Sequence, residues 1–321
     1  SNSTYYLDND ITNSPKIVCM NVTGDNIILD CNGHKIESSG TGIYGIYIDG
    51  EVESGNNFTL KNCNITNWDG AGIRISYSSN NTIINNTFDN NWHGIYISDS
   101  YYNNITNNTI INSNELGFGI DSGNSTGSIL RDNNFTGNGF MSMWFGGSGS
   151  CNNDIDTSNI GENGNPIYYK HDTTSLTIND NSYSELFICN VNQSTIDNVD
   201  VTDTLVLVSS SNNTIKNSNL HNSYRGIYLD TQCNNNNITN NTIYDNNQGI
   251  RIYSSSGNLI YNNLLNNTDN VEFSGTIYTN DWNTTKQLGT RVYSSGNYIG
   301  GNYYTNSTGN GYSDTCIDAD Y

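Results

Sequence analysis

Apolar and polar residues alternate along this chain in short strings, and Asn or Gly closes almost every string. A period of two is that of a β-strand, not of a helix, so each string predicts a short strand and each gap a turn. One phrase returns with small changes. Asn80-Asn81-Thr82-Ile83-Ile84-Asn85-Asn86-Thr87-Phe88 leads into Gly94-Ile95-Tyr96-Ile97, Asn103 to Ile110 leads into Gly119-Ile120-Asp121, and Asn236 to Ile243 leads into Gly249-Ile250-Arg251-Ile252. Matched positions lie 22 residues apart from Ile73 to Ile95, from Ile83 to Ile105 and from Ile238 to Ile260, and 23 apart from Ile215 to Ile238.

A unit of this size, with short strands and no helix, cannot bury its apolar side alone and must stack on a copy of itself. The pattern therefore predicts an all-β fold, a parallel β-helix (solenoid) of about 11 coils of roughly 18–27 residues, right-handed because parallel crossovers almost always are. The repeats occupy residues 25–275, with an N-terminal cap over 1–24 and a C-terminal cap and acidic tail over 276–321. Caps are expected because a solenoid end exposes strand edges. Between Cys151 and Val208 the spacing shortens to 18 from Ile178 to Ile196 and 19 from Ile196 to Ile215, which predicts narrower coils there. Asparagine suits such a fold twice over: it tolerates the left-handed backbone of a tight corner, and stacked side-chain amides bond to each other as a ladder.

Only 34% of the residues are hydrophobic and 13% charged, too little for an easy two-layer core, yet the regular Ile, Val, Leu and Tyr strings argue for order. A net charge of −20, from 31 acidic and 11 basic residues, repels nucleic acid and anionic lipid. No run approaches the roughly 18 apolar residues of a membrane span, and no signal peptide is recognisable; the natural polypeptide is expected to continue past Tyr321. The seven cysteines match neither paired zinc ligands nor a redox motif. Cys19 and Cys31 flank one strand-turn unit and are the disulfide candidate, which places the chain in an oxidising compartment; buried free thiols are the alternative.

Seventeen Asn-x-Ser/Thr sequons point to the cell exterior. The candidate glycosylation sites are Asn21, Asn57, Asn64, Asn80, Asn85, Asn104, Asn107, Asn124, Asn134, Asn192, Asn212, Asn237, Asn240, Asn266, Asn283 and Asn306. Part of their number is a by-product of a repeat that favours Asn-Asn-Thr-Ile.

Three kinds of chemistry compete. Sugar hydrolysis needs carboxylates facing one cleft at roughly 5–9.5 Å; Asp69, Asp99 and Asp121 are candidates, although a regular acidic stack makes such neighbours without catalysis. A lyase or epimerase needs a base and a cation, for which Arg74 and His93 are available. Copper needs imidazole, thioether or thiolate, and His34, His93, His171 and His221 are scattered, while Met141 and Met143 beside Trp144 and Phe145 read as packing. No metal site is assigned on these residues. The remaining pattern is the outward position of each Gly-Ile-x-Ile string, expected to stack into a column: Tyr47, Arg74, Tyr96 and Asp121, and later Tyr228 and Arg251, with Trp68 and Trp92 as stacking platforms. Such a face suits carbohydrate or protein.

Asp25-Asn26-Ile27-Ile28-Leu29-Asp30-Cys31-Asn32-Gly33-His34-Lys35-Ile36, the Asn-Asn-Thr-Ile coils, and Trp282-Asn283-Thr284-Thr285 followed by Gly300-Gly301-Asn302-Tyr303-Tyr304 together resemble the NosD-type β-helix proteins. The resemblance spans nearly the whole chain and implies the parallel β-helix. The family's name comes from copper-site maturation, and members similar to this chain are archaeal cell-surface proteins of S-layer or adhesin-like kind. Asn306 to Asp314, then Asp318-Ala319-Asp320, resembles the family's acidic, glycine-containing ending, which looks like a calcium loop; Asn306, Thr308 and Asn310 are weaker ligands than Asp, and no bidentate Glu follows. The expected function is a non-catalytic, extracellular cell-surface glycoprotein, structural or adhesive, binding carbohydrate or envelope proteins along one face and self-assembling. The alternatives are a polysaccharide lyase, hydrolase or epimerase, and a copper-binding accessory protein.

Overall fold

The computed structural model describes residues 3–51, 55–121, 125–139 and 141–315. They form two compact units, Ser1–Ile167 and Tyr168–Tyr321. Both are built of parallel β-solenoid coils, right-handed and about 12 in all, with almost no helix.

In the first unit the coils contribute strands to three parallel sheets of seven, five and six strands. The inward residues stack by kind: Ile83 lies between Leu60 and Ile105, Phe88 between Ile65 and Ile110, Ile95 between Ile73 and Phe118. All nine are fully buried, and each contributes roughly 1.5–3 kcal/mol of apolar burial. The second unit repeats the plan with sheets of six, five and six strands. Its inner column is Ile178, Ile196, Ile215, Ile238 and Ile260, each paired with the next, so the spacings of 18 and 19 residues are narrow coils in true register.

Asparagine occupies two distinct places. At exposed corners it takes positive φ, as at Asn85 (57°) and Asn107 (55°), which costs most other side chains energy. One residue further on it is buried and bonds along the stack. Asn86 Nδ2 donates to Asn108 Oδ1 (3.1 Å), Asn108 Nδ2 to Asn133 Oδ1 (3.0 Å), and Asn133 Nδ2 to Asn159 Oδ1 (2.8 Å). The same oxygens accept backbone N–H groups, and the amides also reach carbonyls left over at the corners, as Asn108 does with Ile83 O (2.8 Å). A turn that would otherwise bury unpaired backbone is thus satisfied from within.

Several expectations change. Residues of the supposed N-terminal cap form a coil, with Ser3 opposite Ile27, Ile11 opposite Ile36 and Val18 opposite Tyr44; its polar strands and Pro15 hid the repeat. Leu29 pairs with Leu60, so one coil runs 31 residues (60 − 29), beyond the range read from the spacing. At the other end, Tyr303–Thr305 pairs in parallel with Leu264–Asn266, and Trp282 and Tyr304 pack on the second unit's core.

Cys31 forms a disulfide with Cys63 and not with Cys19; Cys151 and Cys189 are disulfide-bonded as well. Cys31 and Cys63 follow Asp30 and Lys61 at one corner of successive coils, with Cα atoms 4.8 Å apart, one strand spacing and within reach of a disulfide. Cys19 lies in a strand of a different sheet and is a free, half-buried thiol. Cys233 is free and fully buried; burial pushes its thiol up, and Sγ donates to the carbonyls of Asp230 and Leu207.

Candidate ligand-binding face

The six-stranded sheet of the first unit contains the strands Tyr44–Asp49, Ala71–Ser76 and His93–Ser98. Their glycines are required by close approach: a Cβ on Gly45, Gly72 or Gly94 would meet the carbonyl oxygen of the next coil's glycine at 2.6, 2.9 and 2.7 Å. This tight point also interrupts the alternation, so the residue before each glycine and the residue two after it meet on the outer face. Two columns result in register: Tyr44, Ala71, His93, and Tyr47, Arg74, Tyr96.

The columns interlock. The Arg74 guanidinium carbon lies 5.0 Å from the Tyr96 ring centre and 5.9 Å from that of Tyr44, a cation–π geometry. Tyr44 stacks on Tyr47 (5.3 Å) and His93 on Tyr96 (4.6 Å). Arg74 Nε donates to Ser76 Oγ (3.2 Å) and Nη2 to Ser98 Oγ (3.4 Å), and Tyr47 donates its hydroxyl to Asp49 (3.0 Å). Glu115 accepts from the Trp92 indole N–H (2.7 Å) and lies 3.5 Å from His93 Nε2. Burial, followed by the nearby Asp121 charge, pushes the Tyr96 hydroxyl up to about 12. Burial also holds His93 below the usual imidazole range, against the opposing pull of Glu115.

The sequence-predicted face residues divide. Tyr47, Arg74 and Tyr96 are brought together, and Trp92 is exposed at the edge of their sheet. Trp68 is not a platform: it is 1% exposed, and its indole donates inward to Ile36 O (3.3 Å). Asp121 is not in the column. Gly119 stands opposite Tyr96, because the strand's true Gly-x-x frame is Gly117-Phe118-Gly119 and not Gly119-Ile120-Asp121. Tyr228 and Arg251 are paired in the second unit, but there Tyr228 is buried under Arg225 (4.8 Å) and Arg251 (5.6 Å), and Arg251 meets Glu272 (3.7 Å). Tyr44 was missed, and the position before each Gly-Ile, filled by Tyr44, His93 and Arg225, was the available signal.

The other candidates stay apart. Asp69 precedes the strand Ala71–Ser76, whereas Asp99 and Asp121 follow the opposite ends of their strands, so the three carboxylates do not face one cleft. His34, His93, His171 and His221 each approach one carboxylate, those of Asp10, Glu115, Asp172 and Asp200. In the C-terminal loop Asn306 Oδ1 accepts from the backbone N–H groups of Thr308 and Asn310, and Asp314 accepts from Tyr303, Thr305 and Gly311. Asn124 and the Asp318-Ala319-Asp320 ending lie outside the described residues.

Fold and face together define a right-handed parallel β-solenoid with a Tyr/Arg column on one sheet. The family described as "Periplasmic copper-binding protein (NosD)" matches residues 148–309, and the right-handed β-helix region matches residues 1–160. The chain belongs to the NosD family. No curated protein matches it. Among solved structures it is similar to the A-module of a mannuronan C-5 epimerase from Azotobacter vinelandii, at 15% identity over 86% of this chain and 80% of that one, with a TM-score of 0.44. It is also similar to a surface adhesin of Streptococcus pneumoniae, at 14% identity over 88% and 84%, with a TM-score of 0.36.

Proposed function

We propose that this protein is a non-catalytic, secreted solenoid that binds carbohydrate through the Tyr44/Tyr47/Arg74/Tyr96 face, on a cell surface or in an envelope compartment. The observation that carries this reading is the in-register Tyr47–Arg74–Tyr96 column, in which half-buried rings present hydroxyl tips beside Asp49 and Glu115 as hydrogen-bond acceptors. Sugars bind such surfaces by laying apolar ring faces on aromatics while their hydroxyls donate to carboxylates. The Cys31–Cys63 disulfide fits an oxidising compartment. Among the described residues no helix is long and apolar enough to cross a membrane.

Two other readings have less support. Proton abstraction by Tyr96 would need a depressed pKa, and its shift runs upward. For copper, the donor sets do not fit: among the described residues each histidine faces a carboxylate, Met141 and Met143 are buried in the core, and no three His, Cys, Asp or Glu side chains converge.

Tyr96→Ala removes the ring that holds Arg74 and is expected to weaken retention on immobilised polysaccharides by about tenfold, measured by affinity electrophoresis across a panel of gels. Equal retention of the variant on every gel that retards the parent chain would place binding elsewhere.

Glycan occupancy is expected to follow the ladder. Asn21 and Asn283 are exposed, whereas Asn107 and Asn240 commit their amide nitrogens to Asn85 and Asn217 at the next corners. Peptide mapping of glycosylated protein should find Asn21 and Asn283 filled and Asn107 and Asn240 bare. The reverse pattern would show that the corner rungs impose no barrier.

A further inference from the structure

Arg74 stands apart from the cations of this chain that pair with its own carboxylates. Arg131 pairs with Asp154 (2.6 Å) and Asp156 (2.8 Å), Arg251 with Glu272 (3.7 Å), Lys61 with Asp30 (3.0 Å) and Lys216 with Asp197 (3.1 Å). Arg74 has no carboxylate partner among the described residues. Among the described residues its guanidinium donates to two hydroxyls, those of Ser76 and Ser98, and its carbon lies 5.9 Å from the ring centre of Tyr44 and 5.0 Å from that of Tyr96. The contrast with Arg251 is informative because both occupy the same position in the Gly-Ile-x-Ile string; in the second unit the residue stacked next to the arginine is Glu272, and in the first it is Tyr96. A planar cation flanked by two rings, bonded to two weak acceptors and with no carboxylate partner among the described residues, is pre-organised for a carboxylate from outside.

The surroundings limit what can carry that carboxylate. Asp49 closes the strand Tyr44–Asp49 and accepts from Tyr47, and Asp99 and Asp121 directly follow the strands His93–Ser98 and Leu116–Ile120. Glu115, at the other end of the latter, meets Trp92 and His93, so acids flank the column at both ends of its strands while Arg74 provides positive charge felt at Tyr47, His93 and Tyr96. A polymer with a carboxylate on every residue would set like charges against this rim. A neutral sugar would leave the guanidinium unmatched. Neutral sugars beside a single acidic one satisfy both, since their hydroxyls donate to the rim carboxylates.

We propose that Arg74 reads the carboxylate of a uronic acid flanked by neutral sugars on the saccharide bound at this face. The inference rests on the carbohydrate-binding reading above and adds the chemical class of its ligand.

The test is calorimetric titration of the full chain with three probes: a neutral-hexose tetrasaccharide containing one internal glucuronic acid, the same tetrasaccharide after carboxyl reduction, and a fully uronic tetramer. The single-uronate probe is expected to bind roughly ten- to a hundredfold more tightly than its carboxyl-reduced twin, the range for one hydrogen-bonded charge, and more tightly than the fully uronic tetramer. In Arg74→Gln the first two probes should bind with equal affinity. Equal affinity for them in the parent chain, a preference that survives Arg74→Gln, or tightest binding of the fully uronic tetramer would each overturn the proposal while leaving carbohydrate binding intact. Binding of none of the three by the parent chain, together with no retardation on any polysaccharide gel, would overturn both. The comparison of the first two probes uses only the parent protein, so a misfolded variant cannot hide the answer.

Discussion

Replacing Asn108 with leucine, a side chain of similar size, is expected to lower the unfolding free energy by about 3–5 kcal/mol, because several buried polar groups lose their partners at once. Asn108 Oδ1 accepts from the backbone N–H and side-chain amide of Asn86, and its Nδ2 reaches Ile83 O, Thr106 O and Asn133 Oδ1. Leucine fills the volume and satisfies none of them, and the site is 1% exposed, so water cannot substitute. The neighbouring Asn107→Gly is the control: its φ of 55° is open to glycine and its side chain is exposed, so a change within about 1 kcal/mol is expected. Urea denaturation of the three proteins decides the matter. A loss of under 1 kcal/mol for Asn108→Leu would mean that the ladder is an ornament of packing.

The second large effect belongs to the Cys31–Cys63 disulfide. Removing it by the double substitution Cys31→Ser and Cys63→Ser is expected to cost about 3–4 kcal/mol on the chain-entropy account of a loop this long, which here spans 32 residues. That loop takes in nearly all of the 31-residue coil between Leu29 and Leu60, which has more backbone to order than the 22-residue coil between Ile83 and Ile105. Non-reducing peptide maps should find Cys31 joined to Cys63 and Cys19 alkylatable. Denaturation curves that coincide with and without reductant would contradict the assignment.

The coils were legible because strand period and coil period are both written in side chains that must be buried. Ile178, Ile196 and Ile215 repeat at intervals too short for the rest of the chain, yet they pair as their spacing said, since an inward isoleucine has one place to go. What was hidden depended on frame or on space. Trp68 looks like a surface aromatic by sequence, but it is core, because the corner there turns its ring inward toward Ile36. Asp121 was misplaced by two residues because Gly117 and Gly119 offer two Gly-x-x frames and only packing chooses between them. Cys63 was passed over because its coil is longer than the repeat; adjacency across a stack is a fact of height and not of sequence distance. The face itself was half visible, since Tyr47, Arg74 and Tyr96 share a string position, whereas the lack of a carboxylate partner for Arg74 among the described residues appears only once neighbours are known.

The asparagine ladder has one more consequence. Each rung bonds within its own coil and to the coils directly above and below, so no coil is chemically aware of how many others exist. Copies of a coil can be gained or lost between equivalent asparagines without leaving an orphaned donor, and the face that carries Arg74 is therefore free to change its company while the fold that presents it stays the same.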